Sequence, residues 1–144
     1  MSAATTRTHT VLVYSNDAGV RDTVRNAVGR RPAPDLGRIE FLEAGSVREV
    51  LEHVDAGGVD VVVLDGEARP AGGFGLSKQL KDELHDAPAT LVLVKRPGDA
   101  WLASWALADG VQPLPIDAPA LAAEVAGLIR NLENGLPVLR AAAV

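Results

Sequence analysis

Four apolar residues, Val61-Val62-Val63-Leu64, run without a break and stop at Asp65. A short β-branched run of this kind reads as a strand buried on both faces, the environment of a parallel sheet covered by helices. The residues that follow, Gly66-Glu67-Ala68-Arg69-Pro70, have the composition of a loop. A carboxylate closing such a strand lies at its carboxyl end, where open α/β sheets bind ligands. Asp is also a common turn former and helix cap, so this stretch alone leaves Asp65 with two readings.

The rest of the chain repeats the alternation. Thr10 to Tyr14 reads as a first strand, closed by Ser15-Asn16-Asp17, which can cap a helix. Val20, Val24, Ala27 and Val28 follow helical spacing. Ile39 to Leu42 is a second strand. Ser46 and Glu49 form a capping-box pattern before a helix whose apolar line is Val47, Val50, Leu51 and Val54. After the Val61 strand, Leu76, Leu80 and Leu84 mark a third helix. Thr90 to Val94 is a fourth strand, ended by Lys95-Arg96-Pro97-Gly98, and the spacing predicts a helix from Trp101 to Ala108. Val111 to Leu114 is a fifth strand, and Asp117 caps a last helix carrying Leu121, Val125, Leu128, Ile129 and Leu132. Five strand–helix units with short connections predict an α/β fold, (βα)5, with a doubly wound parallel five-stranded sheet. Residues 1–8 read as a disordered leader, 9–133 as the domain and 134–144 as a C-terminal tail.

Length and composition remove several function classes. At 144 residues the chain is sized for one domain, and its aromatic content of 3% leaves the core to Val, Leu and Ala. A net charge of −5 argues against nucleic acid as a partner. Cysteine is absent, so there is no disulfide framework and no thiol chemistry, as suits a reducing cytoplasm. No apolar run approaches the roughly 20 residues of a membrane span. His9, His53 and His85 lack the spacing of metal ligands and read as solvated, as do Arg30-Arg31, Lys78 and Lys81. Ser15 to Gly19 could cradle a phosphate at a helix N-terminus, but it lacks a second glycine and further hydroxyls, which argues against flavin or nucleotide. The Asp65-Gly66-Glu67 segment lacks the supporting acids and cation of an Asp-nucleophile phosphatase.

The order and spacing of Leu12-Val13-Tyr14-Ser15-Asn16-Asp17, Leu64-Asp65 with Gly73 and Leu76, Ala108-Asp109-Gly110 and Leu114-Pro115 resemble the receiver domain of two-component response regulators, over roughly residues 9–133. The resemblance implies a flavodoxin-like receiver fold and a phosphorelay role in two-component signalling. In that family the Asp ending strand three accepts a phosphoryl group, two acids after strand one hold Mg²⁺, a Thr or Ser ends strand four, and a Lys before proline ends strand five. Here Asp65 matches the acceptor. The acid pair falls on Ser15 and Asn16, with Asp17 beside them; the Thr/Ser position falls on Lys95 and the Lys position on Leu114.

Those departures imply a degenerate pocket. Mg²⁺ favours carboxylate oxygens, so any ion held by Asp17 and Asp65 is expected to bind weakly, and no other cofactor is expected. Lys95 is expected to pair with Asp65 and fill the pocket; its alternative role is to replace the missing strand-five cation. The chain is also similar to stand-alone actinobacterial receiver-like proteins, some encoded beside the proton-pumping NADH dehydrogenase. The implied function is therefore a non-enzymatic, cytoplasmic interaction module, docking on a large assembly such as respiratory complex I or on a second copy. A phospho-accepting switch at Asp65 is the alternative. Trp101 and Trp105 lie four apart and so share one stripe of the fourth helix. With Leu102, Ala103, Ala106 and Leu107 assigned to the core, the tryptophans are expected at the surface; the alternative is that both are ordinary core. The resemblance places the docking face on the fourth helix, fifth strand and fifth helix.

Overall fold

In the computed structural model, which describes residues 7–69, 71–84 and 86–139, the sequence's alternation becomes five parallel strands. The elements are β1 (His9–Tyr14), α1 (Ala18–Val28), β2 (Ile39–Ala44), α2 (Val47–Ala56), β3 (Val61–Asp65), α3 (Gly73–Glu83), β4 (Ala89–Val94), α4 (Trp101–Trp105), β5 (Gly110–Pro113) and α5 (Ala118–Glu133). A turn of 3₁₀ helix, Pro97–Asp99, precedes α4. The sheet order is β2-β1-β3-β4-β5.

Apolar runs and helix stripes produce this arrangement together. Every residue of β3 and of β4 is buried, because helices cover both faces of these central strands. On one face Val11, Val13, Val63, Leu91 and Leu93 pack with α1 and α5; on the other Leu12, Tyr14, Leu64 and Val92 pack with residues of α2, α3 and α4. Asp17, Ser46 and Asp117 cap α1, α2 and α5 by accepting from the amides of Gly19, Glu49 and Ala120, which satisfies donors that a helix start leaves without partners.

Several boundaries differ from the spacing-based expectation, among them β2, which runs on past Leu42 to Ala44. The fourth helix ends at Trp105, short of Ala108, because Leu107 turns to φ 57° and the amide of Ala108 reaches back to the carbonyl of Ala103. β5 spans Gly110–Pro113 and excludes Leu114. Of the expected leader and tail, residues 1–6 and 140–144 lie outside the described residues. Up to Leu139, the C-terminal stretch is tied to the domain: the Leu139 amide donates to Asp109 Oδ1 at 2.7 Å.

Strand order reverses at β1, whose neighbours β2 and β3 continue the chain in opposite directions across the sheet. The crevice beyond the carboxyl ends of β1 and β3 is therefore the topological switch point, where open parallel sheets take ligands. Ser15 and Asp65 stand there.

Candidate functional site

Asp65 ends β3 with only 5% of its surface exposed. Its two oxygens are both engaged. Ser15 Oγ donates to Oδ2 at 2.8 Å, and the Glu67 amide donates to Oδ1 at 2.8 Å. Ser15 is itself fully buried, and its Oγ also accepts from the Asp17 amide at 3.0 Å. The loop after β1 thus closes over the carboxylate through one hydroxyl. The Arg21 guanidinium fixes that loop from α1 by donating to the Ser15 carbonyl at 2.6 Å, while its Nε meets Glu43 at 3.0 Å. The sequence reading passed over Arg21; its position one helical turn after Asp17 was the available signal.

The facing loop is held equally closely. Asn16 Oδ1 accepts from the Arg69 amide at 2.9 Å, and the Tyr14 hydroxyl donates to the Ala71 carbonyl at 2.6 Å. Burial, and after it the nearby Asp65 carboxylate, raises the Tyr14 phenol above its ordinary value. The Gly66 amide donates to the Leu93 carbonyl at 3.0 Å, and a Cβ on Gly66 would collide with that same oxygen. A Cβ on Gly73 would sit 2.8 Å from that of Leu64 and 2.9 Å from the Asp65 carbonyl oxygen. Glycine at these two positions lets the loop and α3 close on the end of β3.

The pocket expected from sequence is only partly assembled. Lys95 does not pair with Asp65; it is exposed, one residue beyond the buried end of β4. Burial simply stops with the strand: Val94 is its last covered residue, and Lys95 and Arg96 after it stand in solvent. Asp17 is drawn away to cap α1, its Oδ1 accepting from Gly19 at 2.8 Å. Leu114, at the position where the resemblance implies a lysine, lines a shallow cavity of about 420 Å³ with Asp17, Val20, Thr23 and Ile116. No group of three His, Cys, Asp or Glu side chains suited to a metal occurs among the described residues.

Two polar clusters lie at the other end of the sheet, and both correct the sequence reading. His9 is buried, with Nδ1 3.3 Å from Asp60 Oδ2 and Nε2 2.9 Å from Glu133 Oε2. Lys81, read as solvated, is 2% exposed and donates to Asp109 Oδ2 at 2.6 Å. Burial lowers its ammonium pKa against the opposing pull of Asp109. Ser77 Oγ beside it is 2.9 Å from Thr90 Oγ1 and donates to the Ala106 carbonyl at 2.9 Å. His53 is half-buried on α2, and His85 lies outside the described residues.

Trp101 and Trp105 are 66% and 51% exposed, while Ala103 and Ala106 are buried and Leu102 and Leu107 half-buried. The Lys78 ammonium of α3 stands 6.0 Å from the centre of the Trp105 ring.

An uncharacterized response regulatory protein of Mycobacterium tuberculosis, found in two strains, is 45% identical to the chain over 120 residues, covering 83% of the chain and 90% of the relative. The chain belongs to the response-regulator family. No family model matches it. Solved receiver domains share its fold. That of a Clostridium thermocellum response regulator superposes with a TM-score of 0.73 at 18% identity, covering 89% of the chain and 99% of the neighbour. That of a Francisella response regulator gives 0.72 at 17%, covering 86% and 98%. The chemotaxis response regulator CheY4 of Vibrio cholerae gives 0.70 at 19%, covering 85% and 99%. The domain thus has the receiver fold of the response-regulator family to which its relative belongs. Among its described residues no helix is long and apolar enough to cross a membrane.

Proposed function

We propose that this receiver works as a non-enzymatic docking module in the cytoplasm, with a phosphorylation pocket closed by internal hydrogen bonds. One observation carries the reading: Ser15 and the Glu67 amide occupy both oxygens of Asp65, and Lys95 stands in solvent. The donor set does not fit Mg²⁺. Among the described residues only Asp65 offers a buried carboxylate inside the crevice, Asp17 is committed to its helix, and the Asn16 oxygen is taken by the Arg69 amide. Phosphoryl transfer needs charge neutralisation at the transferred group, and the strand-five position supplies Leu114. Weak Mg²⁺ binding, at or above about the millimolar range of weak oxygen sites, is expected.

Output then passes through a protein partner. A large assembly such as the respiratory NADH dehydrogenase is the partner class to which the sequence resemblance points, with the receiver peripheral to the membrane complex; a homodimer is the second. The competing reading is a phospho-accepting switch, favoured by the position of Asp65 at the switch point. Acetyl phosphate with Mg²⁺ separates the two. Mass measurement of the intact protein should show no added phosphoryl group. Rapid Mg²⁺-dependent labelling, abolished in Asp65→Asn, establishes the switch instead. Co-purification with the membrane NADH dehydrogenase from native cells tests the named assembly.

A further inference from the structure

The two indoles stand in an unusual electrostatic setting. The chain carries a net charge of −5. Yet on the loops after β3 and β4, Arg69, Lys95 and Arg96 are exposed and make no ion pair with any described residue. Only Glu67 and Asp99 oppose them on the same loops. Lys95 and Arg96 lead directly into the turn before α4. Lys78, beside Trp105, is already bound to Asp82 at 2.6 Å. The turn leading into α4 therefore sets an exposed basic pair, Lys95 and Arg96, beside the exposed indoles of an acidic molecule, with Asp82 and Glu83 of α3 on its far side.

We propose that this face, with Trp101 and Trp105 as anchors and Lys95 and Arg96 as the rim, binds an acidic segment of another protein that carries apolar residues. The inference rests on the docking-module reading and names the chemistry of its partner. Exposed aromatic pairs supply anchoring area, and complementary rim charge supplies orientation and association rate. A second copy is disfavoured because it brings the same basic pair to the contact and not an acidic complement. An anionic membrane attracts the rim but repels the acidic remainder.

The chain contains two tryptophans, so its indole emission reports on this face alone. The probe is a random copolymer of glutamate and leucine added to the full-length protein. The emission should shift to shorter wavelength and saturate. Lys95→Glu with Arg96→Glu should weaken that binding about tenfold, a difference of about 1.4 kcal/mol. Salt taken well above about 0.1 M should weaken it similarly. Trp101→Ala should weaken it too, with Trp105 left as reporter. Both positions of the charge reversal are exposed, and circular dichroism checks that the variant folds.

An unchanged emission, equal binding by the charge-reversed variant, or equal binding of a lysine–leucine copolymer overturns the inference. A response to phosphatidylglycerol vesicles without one to the copolymer assigns the face to lipid and also overturns it. A shift that follows protein concentration alone, with a dimer in sedimentation, assigns it to a second copy. Acetyl phosphate labelling is a separate readout. Labelling of Asp65 defeats the docking-module reading whatever the copolymer does, whereas a silent emission with Asp65 unlabelled defeats only this assignment.

Discussion

Asp65 is a buried carboxylate satisfied by a hydroxyl and an amide, with no ammonium or guanidinium of the described residues on it. Its position was legible in the sequence, because an unbroken apolar run stopped by Asp places the carboxylate at a strand end. Its partners were not. Ser15 was visible only as the loss of an acid, although its hydroxyl closes the site. Lys95 looked like the natural counter-charge, yet burial ends with β4 at Val94 and the residue after it stands in solvent. Removing the Ser15 hydroxyl strips Asp65 Oδ2 of its described donor and the Asp17 amide of its acceptor. A buried polar group left without a partner costs about 1–3 kcal/mol. Ser15→Ala should lower the unfolding free energy by that amount in urea titrations, and Ser15→Thr, which keeps the hydroxyl, should recover part of it. An unchanged midpoint for Ser15→Ala would mean that water reaches Asp65 freely.

Among the elements, the helices with a clear apolar line were readable to within a residue or two, α4 excepted. That helix holds only Trp101–Trp105, and the backbone reversal at Leu107 has no glycine or proline to announce it. α3 hides a different feature. Its line of Leu76, Leu80 and Leu84 was evident, but the buried face is wider and takes in Ser77 and Lys81, one residue round the helix. A lysine on a helix normally signals water; this one is buried because Asp109, at the entry to β5, meets it at 2.6 Å. The same Asp109 oxygen accepts from the Thr90 amide, and its twin accepts from Leu139. One carboxylate thus joins α3, β4, β5 and the C-terminal stretch. Lys81→Met leaves that carboxylate buried without a cation, a change that costs about 3–5 kcal/mol where burial is complete. The two amide donors keep the expected loss near the lower end, about 3 kcal/mol. Adding Asp109→Asn removes the stranded charge and should restore much of the stability, so the double-mutant cycle should be strongly non-additive.

For the whole molecule, the alternation of periods identified the layers, while no residue in the sequence announces the strand order β2-β1-β3-β4-β5. What sequence could not supply was the fastening of the last helix, because its contacts span most of the chain. Glu133 on α5 reaches His9 on β1, and Arg130 holds Asp35, in the loop before β2, through two bonds of 2.7 Å. The Arg130 hydrogen bond holds the Asp35 carboxyl down to about 2 from an ordinary 3.8. The sign of the linkage follows from that direction: the unfolded chain takes up this proton first as pH falls. The stabilisation is therefore complete above about pH 4 and fades as pH drops toward about 2. Both side chains are substantially exposed, so the effect is modest and screened by salt. Urea midpoints measured across this range should fall more steeply for the wild type than for Asp35→Asn, and the difference should shrink in high salt. Parallel curves for the two proteins would show that the pair does not fasten α5 in solution.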